Sequence, residues 1–219
     1  MPADVTCADR QGFFATYCVL DDTSGDSHIR VDGNMTVIGA ELDFTREMHV
    51  THRGKEVPRI VLSRGTNAMG FVPASLFRRL DAMLDAGWTC RAVASTSVYD
   101  KLAERFSTEV AVICAAPDIA EAAGIFADRA FAKIARGSHP DINLSAKELS
   151  AMLGCGGQWD SPRESSRITP GKGAAYYKTR QTATERMALA AASGSIGCWV
   201  ALAVCVLAVL VAVVCVLVL

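Results

Sequence analysis

The last 23 residues, Gly197 to Leu219, read GCWVALAVCVLAVLVAVVCVLVL and hold no charged side chain. A helix of about 20 apolar residues spans the hydrocarbon core of a bilayer. Helical backbone is the economical choice there, because lipid offers no partner for peptide N–H and C=O groups. The competing reading is a buried core helix, but the length and the lack of polar residues match a span. Cys198, Cys205 and Cys215 sit in the run as small apolar side chains, and Trp199 lies at its near edge, where an aromatic ring suits the interface. Met1 to Leu20 has neither the basic start nor the apolar stretch of a secretory leader. A span made last inserts after synthesis, which predicts that residues 1–196 face the cytosol or the nucleoplasm.

The chain has 219 residues and a formal net charge of −1, so no global basic field favours nucleic acid. Of the eight cysteines none forms a C-x2-C pair, and three lie in the apolar run. That spacing argues against a zinc site, and a reducing compartment argues against a disulfide framework. No internal repeat is visible. The organisation expected is a globular domain over 1–153, a flexible basic linker over 154–196 and a single transmembrane anchor over 197–219.

The globular part reads as α+β. Phe13, Phe14, Tyr17, Val19 and Leu20 cluster as a short helix or a strand. Ile29 to Phe44 alternates on a period near two, with a turn at Asp32-Gly33-Asn34 and a bend at Gly39. A hairpin loop is expected around His52-Arg53-Gly54-Lys55, then, after Pro58, a short strand through Ile60-Val61-Leu62. Pro73 to Gly87 is a helix with an apolar stripe of Leu76, Leu80, Met83 and Leu84. Trp88 to Ala94 is a strand. Ser97 to Ser107 reads both ways, because Val98, Leu102 and Phe106 fit a helical face. Glu109 to Cys114 is a strand, and Ala116-Pro117-Asp118 turns it into a helix over 118–136 closed by Gly137. A short helix over 144–153 carries Ser145 and Glu148 as a capping box.

Gly, Ser, Thr and Pro dominate from Gly154 to Ser193. Between 159 and 193, six bases (Arg163, Arg167, Lys172, Lys178, Arg180, Arg186) face three acids (Asp160, Glu164, Glu185), a surplus of +3 beside the bilayer. Attraction to anionic lipid is worth up to about 1 kcal/mol per basic residue near the surface; an ordinary solvated linker has the same composition. Ser161-Pro162 and Thr169-Pro170 fit proline-directed phosphorylation, which makes a phosphoprotein an expectation.

Catalytic signals are weak. On a strand His49 and His52 point to opposite faces and do not converge on a metal. Gly154-Cys155-Gly156-Gly157 lacks the preceding strand, the helix and the lysine of a phosphate loop. No nucleophile, base and orienting group stand together, so no enzyme activity, metal or cofactor is expected.

Three stretches resemble the herpesvirus nuclear egress membrane protein family, the tail-anchored half of the nuclear egress complex. Ile29-Arg30-Val31, with Gly33-Asn34 and Val37, is similar to the family's strand–turn–strand. Ile60 to Ser63 through Thr66, Gly70 and Leu76 to Leu80 is similar to its strand, threonine loop and short helix. Val110 to Ile113, Ala116-Pro117-Asp118 and the helix to Arg136 resemble its strand, Gly-Pro-acid turn and helix, with Ala116 in the glycine's place. About half the chain is covered. The resemblance implies an antiparallel β-sandwich-like domain with flanking helices, held at the host inner nuclear membrane and facing the nucleoplasm. It implies a soluble zinc-containing nucleoplasmic partner, self-association into a lattice, and capsid budding (primary envelopment) driven by membrane curvature. Tyr17 can occupy the tyrosine position of the family's partner-contact helix, with Thr16 where an acid stands. Phe13, Tyr17 and Val19 are therefore the expected partner-binding residues, against core packing as the other reading.

Other classes also fit a tail anchor. A fusion-type coiled coil needs unbroken heptads before the span, and the glycines and prolines of 137–173 exclude it. An apoptosis regulator would be nearly all helical, which the β-rich stretches oppose. A generic tail-anchored adaptor, or an apoptosis or trafficking regulator, on another organelle membrane remains the alternative.

Overall fold

β6 (Arg105–Ala115) is buried from Thr108 through Ala115, and the rest of the domain is laid out around it. A computed structural model describes residues 12–21, 38–50, 53–100, 105–172 and 174–176. Among the described residues the fold is α+β, an antiparallel sheet with three helices. The other strands are β1 (Phe13–Val19), β2 (Glu41–Val50), β3 (Glu56–Arg64), β4 (Asn67–Phe71), β5 (Thr89–Asp100) and β7 (Ala174–Tyr176). The helices are α1 (Ala74–Asp85), α2 (Ala120–Ala135) and α3 (Ala146–Gly154).

The strands run β1-β6-β5-β2-β3-β4, with β7 paired to the end of β5. β2 turns a corner: Glu41 and Leu42 pair with β5, whereas Asp43 to Val50 pair with β3. The far edge then comes round to the near one. Asp21, just after β1, exchanges two backbone hydrogen bonds with Phe71 of β4, at 2.8 and 3.0 Å. Gly70 makes this approach possible, since a Cβ there would stand 2.9 Å from Leu20 Cβ and 3.1 Å from the Asp21 carbonyl oxygen.

Both faces of the central strands are covered, so β6 reads as a near-continuous apolar run. Ala111, Ile113 and Ala115 meet Phe13, Ala15 and the apolar side of α2 (Ala123, Phe126, Ala127, Ala130, Ile134), with Leu149 and Met152 of α3 beyond. Val110, Val112 and Cys114 face the other way, onto Phe14, Leu42, Ile60, Leu62, Val72 and the α1 residues Leu80 and Met83. Each fully buried Leu, Ile or Phe contributes roughly 1.5–3 kcal/mol of transfer free energy.

Several expectations hold at residue level. The hairpin loop falls between β2 and β3, with Gly54 at φ +71°. α1 begins at Ala74, with Pro73 at the cap position. Ser145 and Glu148 form the capping box: Ser145 Oγ accepts from the Glu148 N–H at 3.4 Å, and the Glu148 carboxylate accepts from the Ser145 N–H at 2.8 Å.

Others are decided or corrected. The cluster at 13–20 is strand over Phe13–Val19, because its two faces meet different apolar layers. The stretch with both readings is strand on both sides, since cross-strand pairing continues as far as Asp100↔Arg105. Pro58 lies inside β3 rather than before it. β4 reaches only Val61 to Arg64, so the missing N–H of Pro58 interrupts no second ladder.

The domain also continues past Gly154, where composition alone reads as linker. Trp159 packs on the core, Asp160 pairs with Arg129 at 2.5 Å and Lys133 at 3.1 Å, and Glu164 bridges to Pro140. Low apolar content hid this segment because polar contacts hold most of it. Residues 22–37 and 177–219, with the first resembling stretch and the apolar run, lie outside the described residues. Among the described residues no helix is long and apolar enough to cross a membrane.

Candidate functional site

Gly154-Cys155-Gly156-Gly157 ends α3. Gly157 donates its N–H to the Met152 carbonyl at 2.9 Å and Gly156 to Leu153 at 3.0 Å. Gly157, at φ +83°, lies where a Cβ would strike the Ala122 backbone oxygen on α2. The chain can therefore leave α3 pressed against α2 and return over the sheet, as far as Ile168, beside Glu109 of β6.

Glu109 shares a face with Ala111 and Ile113, and it is a carboxylate in an apolar layer. The bulge between Ala94 and Thr96 on β5 places Ser95 against it. Ser95 Oγ donates to Glu109 Oε2 at 2.7 Å, and the Ile168 N–H donates to Oε1 at 3.0 Å. His139 Nε2 lies 2.8 Å from Oε2, and His139 Nδ1 lies 3.1 Å from the Ser165 carbonyl oxygen. The Glu109 and His139 side chains are 6% and 2% exposed. Burial pushes the Glu109 carboxyl up, but hydrogen bonds from His139, Ser95 and Ile168 outweigh it and hold the carboxyl below its ordinary range.

Tyr17 covers this pair. Its ring stacks on His139 with centroids 3.8 Å apart, and its hydroxyl donates to the Pro140 carbonyl at 2.8 Å. Burial first, then Glu109 and Asp141, raise the phenol well above its usual value. Chain reversal at 139–165 is tied down as well. The Ser165 N–H donates to the His139 carbonyl at 2.8 Å, Arg163 pairs with Glu148 at 2.8 Å, and Arg167 donates to the Gly137 carbonyl. Two of the six bases counted in the sequence are thus paired within the domain. Lys172 is exposed, and Lys178, Arg180 and Arg186 lie outside the described residues.

The three expected contact residues share β1 but not a fate. Phe13 is fully buried and meets Phe126 edge-on at 6.0 Å. Tyr17 is half-buried against His139. Val19 is 37% exposed. Glu109, Ser95 and His139 escaped the sequence reading. An acid on the inward-facing register of an apolar strand was the available signal.

The arrangement binds chain to chain. Ser95 Oγ donates to the carboxylate, and both imidazole nitrogens face oxygen acceptors within the fold, so no ring nitrogen is turned toward a third group. His49 lies against Phe71 at 5.2 Å, and His52 lies outside the described residues. Among the described residues no three His, Cys, Asp or Glu side chains are grouped to hold a metal. Ser161 Oγ donates to the Arg163 carbonyl at 3.1 Å and accepts its N–H at 3.3 Å, while Thr169 is exposed. Comparison with protein-family models, curated proteins and solved structures finds no match for this chain.

Proposed function

We propose that this chain is the membrane-anchored subunit of a viral nuclear egress complex. It recruits a soluble, zinc-containing nucleoplasmic partner to the inner nuclear membrane and drives capsid budding by lattice formation and curvature. The observation that carries the reading is the order strand, Ala116-Pro117-Asp118 turn and helix, ahead of a basic segment and the uncharged run at 197–219. Those residues are β6, the turn at 116–119 and α2. A sheet that turns a corner at β2, with helices on the outside, supports a sandwich-like architecture.

In this reading the domain is a rigid platform and the work is binding, not catalysis. Val19 is the β1 residue best exposed to meet a partner, and Phe13 and Tyr17 hold the strand behind it. Attraction to anionic lipid rests on Lys172, Lys178, Arg180 and Arg186, since Arg163 and Arg167 are committed within the fold. Phosphate at Ser161 or Thr169 would oppose that attraction.

Imaging the full chain, tagged at its N-terminus, tests this reading alone and beside the nucleoplasmic partner. A nuclear rim that draws the partner to it is the expected result. Mitochondrial or Golgi staining without recruitment overturns it and leaves a tail-anchored adaptor for another membrane.

A further inference from the structure

Cys90 of β5 and Cys114 of β6 stand directly opposite each other in the antiparallel register, and neither is in a disulfide. Directly opposed residues have Cα atoms about 4.5–5.5 Å apart. That lies inside the window of about 4.4–6.8 Å that a disulfide needs. Both side chains turn to the same face, toward the layer that holds Val112, Ala92 and Leu80. The neighbour of Cys114 on its other side is Phe14 of β1, while Cys18 stands opposite Val110. Cys114 therefore has one thiol in register with it.

The two sulfurs differ in a useful way. Cys114 is fully buried and Cys90 half-buried, so Cys90 is the one that solvent reaches. They share a hydrogen bond. It lowers the Cys90 thiol below its ordinary value against the opposing effect of burial. Burial and the same bond raise Cys114. A reachable thiol with more thiolate character beside a resolving thiol is the pattern of a reversible redox site.

We infer that Cys90 and Cys114 form a peroxide-sensitive dithiol that closes to a disulfide across the two central strands. The Cys90 thiolate attacks a peroxide oxygen. An S–O bond forms, the O–O bond breaks, and the released hydroxide takes a proton to leave as water. The Cys114 sulfur then attacks the Cys90 sulfur. The S–S bond forms, the S–O bond breaks, and the Cys114 proton leaves with the hydroxide as a second water. Two thiols are oxidised, one peroxide is reduced to two waters, and a small-molecule dithiol reverses the step by exchange. In a reducing compartment such a bond is transient and signalling rather than structural.

The test uses the full chain in mild detergent, exposed to hydrogen peroxide, blocked with N-ethylmaleimide and digested with trypsin. The sequence places Cys90 in the peptide 80–91 and Cys114 in 106–129. The expected product is these two peptides joined, lighter than their sum by two hydrogens and separated by dithiothreitol. In Cys114→Ala, matched to the parent by melting temperature, Cys90 should pass on to sulfinic acid that dithiothreitol does not recover. Cys90 that stays alkylatable while the exposed Cys155 oxidises overturns the proposal. So does a Cys90 link to any other cysteine, or a Cys114→Ala variant whose Cys90 recovers as fully as the parent's.

Discussion

The Glu109 carboxylate on β6 and the His139 imidazole beyond α2 meet at 2.8 Å in a part of the domain closed to solvent. Thirty residues of chain separate them. Their contact, with Ser165 and Ile168 behind it, fastens the segment after α3 across the sheet. Breaking a buried pair from one side leaves a charge without compensation, which costs about 3–5 kcal/mol. His139→Ala, which leaves the Glu109 carboxylate buried and short of a partner, should lose stability of that order in denaturant unfolding. Arg163→Ala, whose ion pairs are largely exposed, should lose no more than about 1 kcal/mol. Equal losses for His139→Ala and Arg163→Ala would rule out the buried pair as the fastening.

Acid should release the same contact. The folded-state Glu109 carboxyl lies below its unfolded value, which is near pH 4.3 for an ordinary glutamate. Its contribution is therefore complete above that pH and drains away as pH falls through the lower folded value. Melting temperature should drop steeply on the acid side in the parent. Glu109→Gln, with no carboxylate to protonate there, should show a shallower acid limb from a lower starting point. Parallel curves would remove Glu109 from the acid response.

Much of this was legible in the sequence, and the rest was hidden for physical reasons. α1 and α2 announce themselves, because Leu80, Met83, Phe126 and Ile134 recur at helical spacing and are the residues that the fold buries. β6 is legible because both its faces are covered. The β5–β6 hairpin is less so, since Val98 fits a helical stripe as well as a strand and only pairing across the sheet decides. The strap from Trp159 to Ile168 could not be read at all. It is held by Asp160, Arg163, His139 and Glu109, and polar contacts between residues far apart leave no periodic trace. For the same reason Tyr17 was singled out only through the family resemblance, while the imidazole stacked on it was missed.

Two neighbouring glycines separate backbone strain from collision. Gly156 and Gly157 both have positive φ, at +60° and +83°, but a Cβ on Gly156 meets open space and one on Gly157 meets the α2 backbone at Ala122. Gly156→Ala should cost about 1–2 kcal/mol, the penalty of a side chain in the left-handed region. Gly157→Ala adds a clash with backbone that cannot rotate away, so its unfolding midpoint should fall well below that of Gly156→Ala. Equal midpoints would show that α2 and the end of α3 are not pressed together.

Phe13 and Val19 divide β1 between holding the fold and meeting a partner, and a paired measurement tells the two apart. Phe13 is fully enclosed against Phe126, so Phe13→Ala removes a buried ring and should cost about 3–5 kcal/mol of stability. Any loss of partner capture in that variant follows from unfolding and should be restored by cooling. Val19→Lys puts a long side chain at an exposed position, carries its charge out to solvent and sets no like charge across from Glu109, so it should leave stability within about 0.5 kcal/mol of the parent. If β1 borders the partner, Val19→Lys weakens recruitment to the nuclear rim at every temperature, with melting unchanged. Recruitment that survives Val19→Lys and follows melting in Phe13→Ala would make β1 a strand of the core alone. The partner surface would then have to be sought on the far side of the sheet, where Met48 and Val50 of β2 are exposed.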